Sequence, residues 1–271
     1  MQLDRQHIVI RERSFSEVLD LALRVLRVHG GPLCLALAAG IVPAMLLNAW
    51  LLSGVLEPEP DAGDVAGYLW WMFLLVMWEC PLATALATLY LGQAMFSRRP
   101  EAAKVAKDFG KSLPQLLWYQ VLLRGLLLPW MVTWILPYAV WPYLNEVILL
   151  ERNPWRRRRK DGMTSGRRSR VLHAQSMGDL FVRWLGSVAC GGMLVLSIWA
   201  SLYCLGTLLL GEREPGAPVY TVYYPLALWI MMAIFTVVRF LGYTDLRIRR
   251  EGWEVELAMR AEGDRLMRQW T

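Results

Sequence analysis

Three long runs without a charged side chain set the pattern of this chain: residues 30–56, 184–211 and 215–238. Each exceeds the roughly 20 residues that an α-helix needs to cross the hydrocarbon of a bilayer. Less continuous apolar stretches lie between them, and the combined pattern predicts an all-α polytopic membrane protein. Its six transmembrane helices run over residues 32–55, 68–96, 113–130, 133–150, 185–210 and 220–243, arranged as three hairpins. The third and fourth spans are short, and Pro129, Pro137 and Pro142 kink or interrupt them, so a shallow re-entrant pair is the alternative reading there. The first apolar run follows about thirty residues with many charges and is too long for the core of a signal peptide, so it reads as a span. Residues 1–246 form one membrane domain and residues 247–271 a charged helical tail.

A second pattern precedes each hairpin. Phe15, Val18, Leu19, Ala22, Val25 and Leu26 fall on one helical face, with Glu17, Asp20, Arg24 and Arg27 elsewhere, and Ser14 or Ser16 stands where a cap belongs. Residues 102–111 place Ala103, Val105, Ala106 and Phe109 among Lys104, Lys107 and Lys111, and residues 169–183 do the same with Val171, Leu172, Leu180 and Phe181. Each is expected to be a short amphipathic helix at the membrane surface, with its apolar face at the headgroup boundary and its cations toward anionic lipid.

Composition sharpens this picture. Hydrophobic residues make up 56% of the chain and charged ones only 19%, which excludes an ordinary soluble domain of 271 residues. Of the 29 lysines and arginines, five lie in residues 1–31, five in 97–112, ten in 152–184 and six in 247–268. Six spans put all four segments on one side, which the retention of basic loops in the cytoplasm makes the inner one, with both termini cytoplasmic. Five spans would place residues 152–184 and the tail on opposite sides. The intervening outer loops carry Glu57, Glu59, Asp61, Asp64, Glu212 and Glu214, with Arg213 as their lone base. Trp70, Trp71, Trp130, Trp134 and Tyr138 sit near the outer span ends, where aromatic rings favour the headgroup region.

Charges within spans are the candidate chemistry, because an isolated one near the bilayer centre costs about 2.5 kcal/mol or more. Glu79 and Arg124 fall near mid-depth and are placed to pair; Glu146 and Arg239 lie near the inner ends of their spans and form a second candidate pair. These four make a candidate polar site, either as interhelical ion pairs that fix packing or as a path for a proton or small solute through Glu79 and Arg124. Arg156, Arg157, Arg158, Arg159 and Lys160, with Arg167 and Arg168, form the densest charge and are candidate contacts for anionic lipid. No nucleic-acid signature accompanies them, so no nucleic-acid partner is expected. Cys34, Cys80, Cys190 and Cys204 are scattered through apolar spans, and His7, His29 and His173 are far apart, so no metal or other cofactor is implied. Gly186, Ser187, Gly191 and Gly192 suit close helix contact. Trp253 and Trp270 in the tail offer a docking point for a protein partner.

Two segments, Asn145-Glu146-Val147-Ile148-Leu149-Leu150-Glu151-Arg152 before a basic loop and Arg239-Phe240-Leu241-Gly242-Tyr243-Thr244-Asp245-Leu246-Arg247 before the tail, carry a family likeness. With the layout of spans they resemble the bacterial six-span proteins grouped around the glycerophosphoryl diester phosphodiesterase membrane domain and the YciC-like uncharacterised membrane proteins. That resemblance covers nearly the whole chain and implies fold, topology and a bacterial cytoplasmic membrane, with no activity attached. The expected function is therefore a noncatalytic integral membrane scaffold or accessory subunit with a basic, lipid-facing cytoplasmic surface. The competing expectation is a small-solute or proton transporter or channel using Glu79 and Arg124.

Overall fold

The computed structural model describes residues 14–56, 61–97, 100–123, 125, 143–151, 154, 164–173, 177–211 and 216–251. Among these, all regular structure is helical. Helix α1 (Phe15–Val28) starts at a reciprocal cap: the Ser14 hydroxyl accepts from the Glu17 amide, and the Glu17 carboxylate accepts from the Ser14 amide at 2.9 Å. Helix α2 (Gly30–Leu51) follows after one break at His29. Helix α3 (Ala62–Ala83) repeats the capping device with Asp61 and Asp64. Pro81 removes an amide near its end, the Thr84 hydroxyl donates to the Cys80 carbonyl at 2.7 Å, and the helix resumes as α4 (Ala85–Ala94).

Helix α5 (Ala102–Leu116) widens into π-helical turns over Leu117–Leu123. Helix α6 (Leu144–Glu146) also runs on as π-helical turns, Val147–Glu151. Helix α7 (Ser165–His173) is short, α8 (Met177–Leu210) is the longest, and π-helical turns Val219–Tyr223 lead into α9 (Tyr224–Glu251).

Four stretches are long and apolar enough to cross a membrane: Gly30–Leu51, Ala62–Ala94, Gly178–Leu209 and Val219–Arg250. They divide by position in the bundle. The last is 72% buried within the chain and the second 56%, against 11% for each of the others. Helix α9 is thus the central post, with α1, α8, α3 and α4 packed on it and Trp229, Phe240 and Tyr243 fully enclosed. Helices α2 and α8 instead turn Leu35, Leu46, Trp50, Met193, Leu196 and Leu208 outward. Bare apolar surface of that extent is stable against lipid and not against water.

Helices α2 and α3 cross at a point where only glycine fits, since a Cβ on Gly40 would overlap the Ala83 carbonyl. Leu33, Leu37, Ile41 and Asn48 of α2 and Tyr68, Met72, Val76 and Cys80 of α3 are buried, and α2 packs on both α3 and α4. In α8, a Cβ at Gly191 would come into ordinary contact with Met231 and Phe235 of α9 and one at Gly186 with Phe15, whereas Gly192 has open space beside it.

Several sequence expectations are revised. The apolar face of α1 lies against α9 through Val18, Ala22 and Val25, not in the headgroup layer, because protein offers that stripe a complementary surface. The third amphipathic unit is also drawn differently. Residues 165–173 form the short helix, while Leu180 and Phe181 already belong to α8. The second apolar helix of crossing length begins at Ala62. At the other end α9 runs unbroken past residue 246 to Glu251. Residues 126–142, which hold Pro129, Pro137, Pro142 and most of the third and fourth expected spans, lie outside the described residues, as do 1–13 and 252–271.

Candidate functional site

One end of the bundle is held by charge. On α9, Arg239, Tyr243 and Arg247 recur every fourth residue and share a face, and Asp245 and Arg249 share another. Opposite them stand Glu146 and Glu151. In an α-helix these two would point about 140° apart at roughly 100° per residue. The wider turns over Val147–Glu151 bring position 151 back toward the face of 146, so both carboxylates reach α9.

The resulting contacts join four segments. Arg239 Nη2 lies 2.9 Å from Glu146 Oε1, with the glutamate side chain 1% exposed. Glu151 accepts from the Tyr243 hydroxyl at 2.8 Å and from two nitrogens of Arg168, one at 3.0 Å, with Arg247 at 4.0 Å. Asp245, also 1% exposed, is shared by Arg183 of α8 at 3.1 Å and Arg249 at 3.0 Å; Arg183 and Arg249 each also reach Asp179 at 3.1 Å. Four acids therefore meet five arginines. Between them the Tyr143 ring stacks on His173 with centroids 5.9 Å apart and leans on Tyr243, and a Cβ at Gly242 would strike the Tyr143 hydroxyl.

Burial alone pushes the Glu151 carboxyl up, but hydrogen bonds from Arg168 and Tyr243 and the charges of Arg168 and Arg247 outweigh it and hold the group below the usual glutamate range. Burial likewise pushes the His173 imidazole below its usual range, against a smaller opposing pull from its hydrogen bond with the Ser169 carbonyl.

Of the sequence candidates, the structure brings Glu146 and Arg239 together. It places Glu79 elsewhere, on α3, with neither carboxylate oxygen hydrogen-bonded. Arg124 lies outside the described residues. Arg168, one of the expected lipid contacts, is bidentate on Glu151 and only 18% exposed, a planar fork matched to a carboxylate. Arg167 remains exposed on α7, and Arg156, Arg157, Arg158, Arg159 and Lys160 lie outside the described residues.

Sequence reasoning missed Asp245, Arg183, Tyr243 and Glu151 as members of one site. The four-residue spacing of polar side chains at 239, 243 and 247, continuing into an apolar helix, was the signal available. Among the described residues no three His, Cys, Asp or Glu side chains converge to hold a metal ion, and the four cysteines are free thiols. Compared with protein-family models, curated proteins and solved structures, the chain matches none.

Proposed function

We propose that this chain is a noncatalytic integral scaffold or accessory subunit of the bacterial cytoplasmic membrane, with six spans in three hairpins and both termini cytoplasmic. The observation that carries this reading is the use made of the buried charges. Glu146, Glu151 and Asp245 are each occupied by arginines from another segment, so these three carboxylates are spent on holding helices in register.

The outward charge on these elements is mainly basic: Arg24 and Arg27 of α1, Lys104, Lys107 and Lys111 of α5, and Arg167 and Arg170 of α7 are exposed, beside exposed Leu23, Val28 and Val171 and the acids Asp20, Glu101 and Asp179. Cations interleaved with apolar side chains suit a layer of anionic phospholipid headgroups. The run Arg156 to Lys160 adds to the same charge, and a protein partner docks on the tail through Trp253 and Trp270.

Affinity purification from native membranes tests the accessory role. A stoichiometric partner that is lost when residues 253–271 are removed supports it. Isolation of the chain alone from both full-length and truncated forms, with no cellular consequence of the truncation, contradicts it.

A further inference from the structure

Away from the charge lattice, two polar side chains face each other inside the apolar part of the bundle. Asn48 of α2 is 1% exposed, and both its amide nitrogen and its amide oxygen lack a hydrogen-bond partner; both carboxylate oxygens of Glu79 on α3 are equally buried and equally unpartnered. Among the described residues, Asn48 is the side chain whose hydrogen-bonding influence reaches the Glu79 carboxyl, although no hydrogen bond is formed between them.

Their meeting follows from the helix geometry. The Gly40 and Ala83 crossing aligns two antiparallel helices so that Asn48 and Glu79 are about one turn apart along the axis. Side chains lean toward the amino terminus of their own helix, so in antiparallel helices these two lean toward one another. The positions one turn away on the same faces are Ala44, Met45, Leu51 and Leu52 on α2 and Leu75, Val76, Leu82 and Ala83 on α3. All are apolar. Among the described residues, Arg239 of α9 comes beside Cys80 and pairs with Glu146; Leu117–Leu123 themselves carry no charge, and Trp78 meets them by donating to the Val121 carbonyl at 3.1 Å.

Among the described residues, a carboxylate enclosed this way has no counter-charge and no formed hydrogen bond. Buried carboxyl groups without a donor or counter-charge neutralise, and a metal cation is poorly served here, since hard cations take about six or more oxygens and this gap offers three. We propose that Glu79 and Asn48 form an intramembrane proton-binding site, in which Glu79 is held as the neutral carboxylic acid and its O–H donates to the Asn48 amide oxygen. One proton satisfies the carboxyl and the amide oxygen together, and neither Glu79 nor Asn48 is a member of the scaffold lattice.

Infrared spectroscopy of the purified full-length protein in lipid nanodiscs at neutral pH decides this, because the C=O stretch of a carboxylic acid is separate from that of a carboxylate. The wild type should show an acid band that moves on ¹³C-glutamate labelling, is lost in Glu79→Gln and shifts in Asn48→Leu. Glu79→Gln, which mimics the neutral acid, should keep the wild-type melting temperature. Absence of a glutamic acid band, its persistence in Glu79→Gln, or its appearance only after sodium and potassium are removed overturns the proposal. Should Glu79→Gln fail to accumulate, the labelled wild type and Asn48→Leu carry the test: a labelled band that Asn48→Leu leaves unmoved, or no labelled band, overturns it.

Discussion

Arg239 and Glu146, 93 residues apart in sequence, meet at 2.9 Å with the carboxylate sealed from solvent. Removing one member of such a pair strands the other charge, which costs about 3–5 kcal/mol, whereas replacing both with apolar groups of similar size is often tolerated. Arg239→Met and Glu146→Leu are therefore each expected to lower the thermal midpoint in detergent steeply, and the double variant to recover most of the loss. Strictly additive losses would mean that the two side chains do not depend on one another.

Glu151 supplies a pH signature. Its folded-state carboxyl titrates below the usual glutamate range, so its contribution is complete above the unfolded value of about 4.3 and is lost as pH falls through the lower folded one. Melting curves taken from neutral to acid pH should show an acid limb that Glu151→Gln flattens, at the expense of lower stability at neutral pH. Tyr243→Phe removes one hydrogen bond to that carboxylate and should cost about 2 kcal/mol.

Gly40 tests the crossing of α2 and α3. Any side chain there meets the Ala83 carbonyl, which is backbone and cannot rotate away. Gly40→Leu should lose more than about 2 kcal/mol of stability, while Gly192→Leu, with open space beside it, should change little. Equal losses at the two sites would contradict the close approach.

The outward lysines of α5 bear on lipid contact. Vesicles containing phosphatidylglycerol should bind and stabilise the reconstituted protein more than neutral vesicles do, with the difference shrinking at high salt. Replacing Lys104, Lys107 and Lys111 together with Gln should reduce the difference. A stabilisation indifferent to lipid charge would remove this surface from the account.

Much of the bundle was legible in one dimension, because uncharged runs longer than a bilayer admit little but spanning helices; four of the spans read from the sequence coincide with apolar helices of crossing length. The proximity of Glu146 and Arg239 was legible too, since each is a charge at the same end of its span. What hydropathy does not register is a change of helix pitch. The π-helical turns that return Glu151 to the side of Glu146 leave no apolar signature, so the second half of the lattice stayed hidden. The face of α1 was misread for a related reason: a stripe of Val18, Ala22 and Val25 reads alike whether lipid or α9 covers it. Asn48 drew no notice because one amide in an apolar run is a weak signal until its neighbour across the helix crossing is known to be a carboxyl.

The lattice makes a demand on topology, since Glu151, Arg168, Arg183 and Arg247 meet at one end of the bundle. Reporter fusions after residue 160 and after residue 271 measure this directly. Both reporters are expected in the cytoplasm; reporters in opposite compartments would contradict the six-span arrangement and, with it, the shared charge lattice on which the scaffold reading rests.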